Sequence, residues 1–320
     1  MVFLFLGVSS VSAAIEDKFK DLELHTAKGE IEYLYNRNII KGYPDGTFRP
    51  NNSVTRVQAI SMIARALKLD LSSRPNPGFK DIPTDHYAYK EIAAVVDEGL
   101  YPKGEKLYPY EPMSRETMAR MIANAFKLTG ESQKTFVDVP KNYWAYQYIT
   151  KLAANNITTG YSNNTFRPKN SLTRSQFALF LTRALNDDFK MYTYSSSKLQ
   201  FSIQLPNYLK DKLIIEESTE NSYGSFLRVS FYFKDNDIFN KKLIVASLSR
   251  LSYKQWNEYF SKGDFSKVAQ TKNWIYALQQ PNESAYTQFP NLKNHPTVLS
   301  YKDSYYRLDD ALKNSIVIQQ

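Results

Sequence analysis

The 320-residue sequence predicts a mostly α N-terminal region of three helix-loop-helix repeats, followed by a separate α+β domain. Three observations lead there. Arg56, Arg115 and Arg174 stand 59 residues apart in both intervals, and each opens an apolar helical segment. Repetition on this scale marks units that bury their faces against one another, so the repeat comes before any helix or strand assignment. The string GYPDGTFRP (Gly42 to Pro50) returns as GYSNNTFRP (Gly160 to Pro168), and after Asp188 the repeat gives way to period-two apolar alternation.

Taken in chain order, residues 1–14 come first. Val2 to Val11 form a short apolar run, followed by the small residues Ser12, Ala13 and Ala14 and the acidic pair Glu16 and Asp17. That is the pattern of a secretory signal peptide lacking its basic leading segment, the alternative being a buried strand or helix. A run of about ten residues is too short to span a bilayer, and no later stretch is long enough, so no transmembrane span is expected.

The repeats are placed at 15–70, 71–130 and 131–189. Each opens on Phe-x-Asp: Phe19-Lys20-Asp21, Phe79-Lys80-Asp81 and Phe136-Val137-Asp138. A first helix follows, with apolar faces Ile31, Leu34, Tyr35 and Ile39, then Tyr89, Ile92, Ala93 and Val96, then Tyr148, Leu152, Ala153 and Asn156 to Ile157. The loop turns on Pro44-Asp45-Gly46 or Ser162-Asn163-Asn164, which tolerate proline-fixed or left-handed backbone. A second helix starts at Thr55, with Val57, Ile60, Ile63, Ala64 and Leu67 inward. Its counterparts are Met118, Met121, Ile122 and Phe126, and Phe177, Leu179, Phe180 and Ala184.

Thr55-x-x-Gln58 and Thr173-x-x-Gln176 fit the capping box, so these residues have a local reason to be there. The arginine after the cap does not, because a cation in the first helical turn opposes the helix dipole. Two readings stay open. Either the guanidinium joins helix N-terminal amides to grip a planar carboxylate or phosphate, or it pairs with a carboxylate of the neighbouring repeat.

These motifs resemble the S-layer homology repeat, whose signatures include an opening Phe-x-Asp, a Gly-Tyr-x-Asp-Gly-x-Phe-x-Pro turn and a Thr-Arg-Ala-Glu helix start. The resemblance spans about residues 15 to 189. It implies a pseudo-threefold bundle within one chain, secreted and held at the cell wall or S-layer. It further implies non-covalent binding, through grooves between repeats, of an anionic secondary cell-wall polysaccharide linked to peptidoglycan and often bearing pyruvate ketals. Carried over residue by residue, the contact set is Arg56, Arg115 and Arg174 with Thr55, Ser114 and Thr173; Gly42, Tyr43, Gly160 and Tyr161; and Asp81, Tyr87, Asp138 and Trp144. Departures from the pattern predict that the three grooves do not bind equally. The family's Glu is replaced by Gln58, Thr117 and Gln176, and the middle loop reads YPKGEKLYPYEP (Tyr101 to Pro112). The first repeat has His25-Thr26 where the others have His86-Tyr87 and Tyr143-Trp144.

Residues 190–198 read as a linker, and 199–320 as the α+β domain. Leu199, Phe201, Ile203 and Leu205 alternate with polar residues as a half-buried strand, and Ser225 to Phe233 and Leu243 to Leu251 suggest two more. Helices are expected near Ser252 to Phe260 and Tyr305 to Ile318. Glu216, Glu217, Glu220, Asp235 and Asp237 lie in polar segments and read as solvated loop charges rather than a glycosidase pair. Trp256 and Trp274 read as core.

Composition narrows the function. There is no cysteine, which excludes disulfides, thiolate nucleophiles and Cys-based metal or cluster sites. Three isolated histidines argue against an imidazole-rich metal centre, so neither metal nor cofactor is expected. A net charge of +9 favours anionic partners, but the excess is spread over both regions, which argues against nucleic acid. An anchor that displays its C-terminal domain is the leading expectation. A cell-wall enzyme with its catalytic site in that domain is the alternative. The oligomeric state is left open.

Overall fold

The computed structural model describes residues 19–23, 25–281, 286–287 and 295–319, in two compact units that divide after Met191. The expected signal peptide lies outside the described residues. No helix among the described residues is long and apolar enough to cross a membrane.

The first unit is built from six helices: α1 (Lys28–Tyr35), α2 (Arg56–Ala66), α3 (Tyr89–Asp97), α4 (Arg115–Ala125), α5 (Tyr146–Ala154) and α6 (Arg174–Leu185). They form three pairs of one design. The second helix of each repeat packs on the first helix of the next: α2 on α3, α4 on α5, and α6 back on α1. This closes a ring. Ile31, Leu34, Ile60, Ile92, Met121, Leu152 and Phe177 all sit in one continuous core. No repeat buries that surface alone, which is why three are needed.

The first helices stop at left-handed residues, Asn38 (φ 56), Gly99 (φ 71) and Asn156 (φ 56). In each case the next amide turns back: Ile39 N–H to the Leu34 carbonyl, Leu100 to Val95 and Ile157 to Leu152. This is the Schellman stop, which lets Gly or Asn absorb the positive φ. Asn156 therefore ends α5 rather than extending its apolar face. The second helices start as expected, with capping boxes at Thr55/Gln58 and Thr173/Gln176, while Ser114 accepts the Thr117 amide.

At the pseudo-threefold axis, Val54, Met113 and Leu172 are fully buried and 59 residues apart. Val54 N–H donates to the Leu172 carbonyl (2.9 Å), Leu172 N–H to Met113 (3.0 Å), and Met113 N–H to Val54 (2.9 Å). A closed triangle of backbone hydrogen bonds thus sits in apolar surroundings, where breaking one leaves a buried polar group unpaired.

The second unit is α+β. A three-stranded sheet has the order β1-β2-β8, from Met191–Ser196, Phe201–Pro206 and Val317–Ile318. A five-stranded antiparallel sheet has the order β3-β4-β5-β7-β6, from Leu213–Glu220, Phe226–Asp235, Lys241–Ser252, Trp274–Gln279 and Phe265–Gln270. Helix α7 (Pro296–Asn314) packs on β2, β4 and β5. Phe201, Ile203, Val229, Phe231, Leu248 and Tyr301 lie in its core. A short helical turn and a π-helical segment (Trp256–Phe260) follow β5, and Trp256 and Trp274 are half-buried against apolar clusters.

Three sequence expectations are corrected here. The proposed linker contains a strand, because Tyr192 and Tyr194 pack on the core. Glu216, Glu217 and Glu220 lie on β3, where Leu213 and Ile215 face the core; Glu217 accepts the Tyr194 hydroxyl and Glu216 pairs with Lys242. Asp235 is buried and accepts the amides of Asp237, Ile238 and Phe239 and the Tyr286 hydroxyl, so it fixes the turn after β4.

Candidate functional site

Each repeat's turn is held by its own aspartate. Asp21 accepts the amides of Phe48 (2.8 Å) and Arg49 (2.7 Å), Asp81 those of Leu107 (2.8 Å) and Tyr108 (2.7 Å), and Asp138 those of Phe166 (2.8 Å) and Arg167 (2.7 Å). The second residue of each pair is left-handed: φ is 58° at Arg49, 54° at Tyr108 and 58° at Arg167. A bidentate carboxylate stabilises a conformation that costs an ordinary L-residue about 1–2 kcal/mol. Burial works to raise the Asp81 carboxyl pKa, and the two amides outweigh it, so the net position is below the ordinary value. Asp81 and Asp138 thus shape the turn. The glycines have a similar task. A Cβ on Gly42 would stand 2.0 Å from Phe19 Cε1, and one on Gly160 2.3 Å from Phe136 Cε1, so Phe-x-Asp and the turn glycine are two halves of one contact.

The arginines cross between repeats. Arg56 Nη1 donates to the Leu107 carbonyl (2.8 Å), Arg115 Nε to Phe166 (2.7 Å) and Arg174 Nε to Phe48 (2.9 Å), so each reaches the equivalent carbonyl of the next repeat's turn. Arg174 Nη2 also donates to the Lys41 carbonyl (2.9 Å), and Arg56 pairs with Glu111 (3.0 Å). The helix-start amides are taken as well. Arg56 and Val57 N–H donate to Glu111 and Pro109, Arg115 and Glu116 to Asn170 and Pro168, and Arg174 and Ser175 to Asn52 and Pro50. The Thr55, Ser114 and Thr173 hydroxyls cap their own helices. The expectation of free amides waiting for an anion is therefore corrected, since neighbouring turns fill those positions.

What remains exposed differs among the three. Arg115 is 4% exposed and lies against Phe166, Phe180 and Tyr161. Its burial pushes the guanidinium below its ordinary pKa. It is a structural staple. Arg174 is similarly buried, at 5%, but it lines a cleft. Arg56 keeps 27% of its side chain exposed.

That cleft, of ≈ 170 Å³, lies within the helical unit, and all three repeats contribute to it. Repeat 1 supplies Lys41, Tyr43, Gln58 and Arg65, repeat 2 supplies Tyr87, and repeat 3 supplies Arg174. Tyr43 lies between Arg49 and Arg174, whose guanidinium carbons stand 3.9 and 5.0 Å from its ring centre, and its hydroxyl accepts from Gln58 Nε2 at 3.4 Å. Arg65 is paired with Glu91 (3.1 Å), whereas Lys41 is exposed and has no ion-pair partner among the described residues. Tyr87 is 71% exposed. Sequence reasoning found Tyr43, Tyr87 and Arg174 but missed Lys41 and Arg65; Lys41's only signal was its place immediately before Gly42-Tyr43.

The 59-residue repeat shows how the other grooves differ. Lys41, Gly42, Tyr43 and Arg65 become Leu100, Tyr101, Pro102 and Asn124 in the middle repeat, where the Tyr101 ring is buried against Phe79. Trp144, in the third repeat, stays 47% exposed beside Tyr143, whose hydroxyl donates to Glu116 of the middle repeat; burial first and that bond second push the Tyr143 pKa up to about 12. In the third repeat, Tyr161 keeps its two arginines, Arg115 and Arg167, but Thr159 replaces Lys41 and Thr26 replaces the exposed aromatic.

Comparison with known proteins agrees with this geometry. The family model described as "S-layer homology domain" matches residues 18–60 and 135–178, the first and third repeats. The chain is 32% identical over 189 residues to "S-layer protein EA1" of Bacillus anthracis, aligning 57% of this chain with 21% of that protein. It is 29% identical over 195 residues to "Cellulosome-anchoring protein" of Acetivibrio thermocellus, with 58% and 42% covered. It is also 29% identical over 163 residues to an "Uncharacterized cell wall amidase" of Bacillus anthracis, with 49% and 30% covered. These matches span less than half of each relative's length. With the ring of repeats and the family match in agreement, the helical unit carries S-layer homology domains, matched at residues 18–60 and 135–178.

Proposed function

We propose that the helical unit anchors the chain without covalent attachment to a bacterial cell envelope, by holding an anionic secondary cell-wall polysaccharide in the cleft lined by Lys41, Tyr43, Tyr87 and Arg174. The C-terminal unit is then the displayed cargo. The observation that carries this reading is the coincidence, in one cleft, of two tyrosine rings, two guanidinium groups and an exposed lysine with no ion-pair partner among the described residues. A carboxylate-bearing sugar such as a pyruvate ketal needs that combination, cations for its acid and aromatic faces for its ring. The relatives named as S-layer and cellulosome-anchoring proteins support it.

The middle groove, lacking the lysine and holding a buried tyrosine in place of glycine, is the weakest of the three in this reading. The test is cosedimentation of the full chain with purified sacculi, before and after removal of their polysaccharide, and after hydrolysis of ketal pyruvate alone. Binding lost on removing the polymer supports the reading; loss on removing pyruvate alone identifies the anion. Equal binding to stripped sacculi refutes it.

A further inference from the structure

Beside the cleft, three rings run out over repeat 2. Tyr87, which lines the cleft, stacks on His86 with ring centres 4.6 Å apart and planes at 29°. His86 continues to Tyr110, at 6.2 Å between centres and with Tyr110 Oη 3.3 Å from Nε2. His86 Nδ1 accepts the Ala88 amide, so the neutral ring carries its proton on Nε2 and donates it to Tyr110. Tyr87 is 71% exposed and Tyr110 66%.

The repeat supplies an internal control. The position of Tyr110 is occupied by Asn51 in repeat 1 and Lys169 in repeat 3, each in the same turn ahead of the same inter-repeat hydrogen bonds. The fold therefore accepts polar side chains there. It does not require an aromatic ring, and the ring in repeat 2 stays in solvent rather than joining the core.

We infer that Tyr87, His86 and Tyr110 form a second glycan subsite continuous with the cleft, so that the protein holds a stretch of polysaccharide longer than one sugar. This rests on the cleft reading and extends it. The cleft takes the charged sugar, and the strip takes neutral sugars of the same chain by stacking on exposed rings. The occupant is a glycan because the strip offers flat faces bordered by hydroxyl and imidazole hydrogen-bonding groups, and because it begins where the cleft ends.

The experiment uses the full chain and glycan released from sacculi, separated by length, with affinities measured by calorimetry. Tyr110→Asn installs the residue of repeat 1 and should leave thermal stability unchanged. We expect it to weaken binding of long fractions about three- to tenfold, the effect of one aromatic contact, and to leave the shortest binding fraction unaffected. Lys41→Ala should weaken both. Equal affinity of Tyr110→Asn and the parent protein for every length, with Lys41→Ala still weakened, overturns the strip and leaves the cleft standing. Absence of binding at every length by the parent protein overturns both.

Discussion

Replacing Arg115 with alanine separates the structural and binding roles of the motif arginines. Its Nε donates to the buried Phe166 carbonyl at 2.7 Å, and a hydrogen bond to a charged group contributes about 1.5–3 kcal/mol. The stem and guanidinium also lie on Phe166, Phe180 and Tyr161, which adds about 1–2 kcal/mol of packing and cation–π attraction. Against this, removing a cation from the first turn of α4 returns about 0.3–1 kcal/mol of dipole energy. The net loss is about 2–4 kcal/mol, a large part of the roughly 5–15 kcal/mol that holds a domain folded. Urea unfolding followed by far-UV circular dichroism reads it. Arg115→Met, which keeps the stem, should recover about a third of the loss. A destabilisation below about 0.5 kcal/mol for Arg115→Ala would refute the staple, given the spread of ordinary surface substitutions. Replacing all three motif arginines at once would therefore release the protein from the wall through unfolding, whatever the arginines contribute to binding.

Other outcomes follow from the same geometry. Gly42→Ala should destabilise the helical unit by about 2–4 kcal/mol, because its Cβ meets the Phe19 ring, and Phe19→Leu should recover part of that in a thermal melt of the double variant. Asp81, whose folded pKa is depressed, contributes stability that is present above the ordinary value of 3.8 and is lost as pH falls below it through the folded value. Asp81→Asn should flatten that part of an acid unfolding curve, and an unchanged curve would show that the aspartate does not hold the turn. Tyr101→Gly should leave the glycan affinity of the first cleft unchanged, since Tyr101 is buried against Phe79 and does not line that cleft; calorimetry on the released polysaccharide reads it.

Much of the helical unit was legible because its determinants are local. The capping boxes lie within four residues, and the Phe-x-Asp and glycine-turn strings recur with fixed spacing. The arginines were legible as anomalies, but their purpose was not. Their acceptors are backbone carbonyls 51 to 133 residues away, which carry no side-chain signature. Lys41 and Arg65 were missed because each looks like an ordinary surface cation until α2 and the turn before Tyr43 are brought together. In the C-terminal unit, β3 was hidden because Glu216, Glu217 and Glu220 make its second half resemble a polar loop, and β1 because Ser195 and Ser196 make a strand end resemble a loop.

Sacculus binding by Lys41→Glu bears hardest on the assignment of the cleft. Lys41 is exposed, and its fold contact is made by its carbonyl, so the substitution should leave the melting temperature unchanged. The expected result is that this single charge reversal lowers affinity for polysaccharide-bearing sacculi at least tenfold, about 1.4 kcal/mol. Undiminished binding by the folded variant would contradict the claim that this cleft holds the anionic glycan.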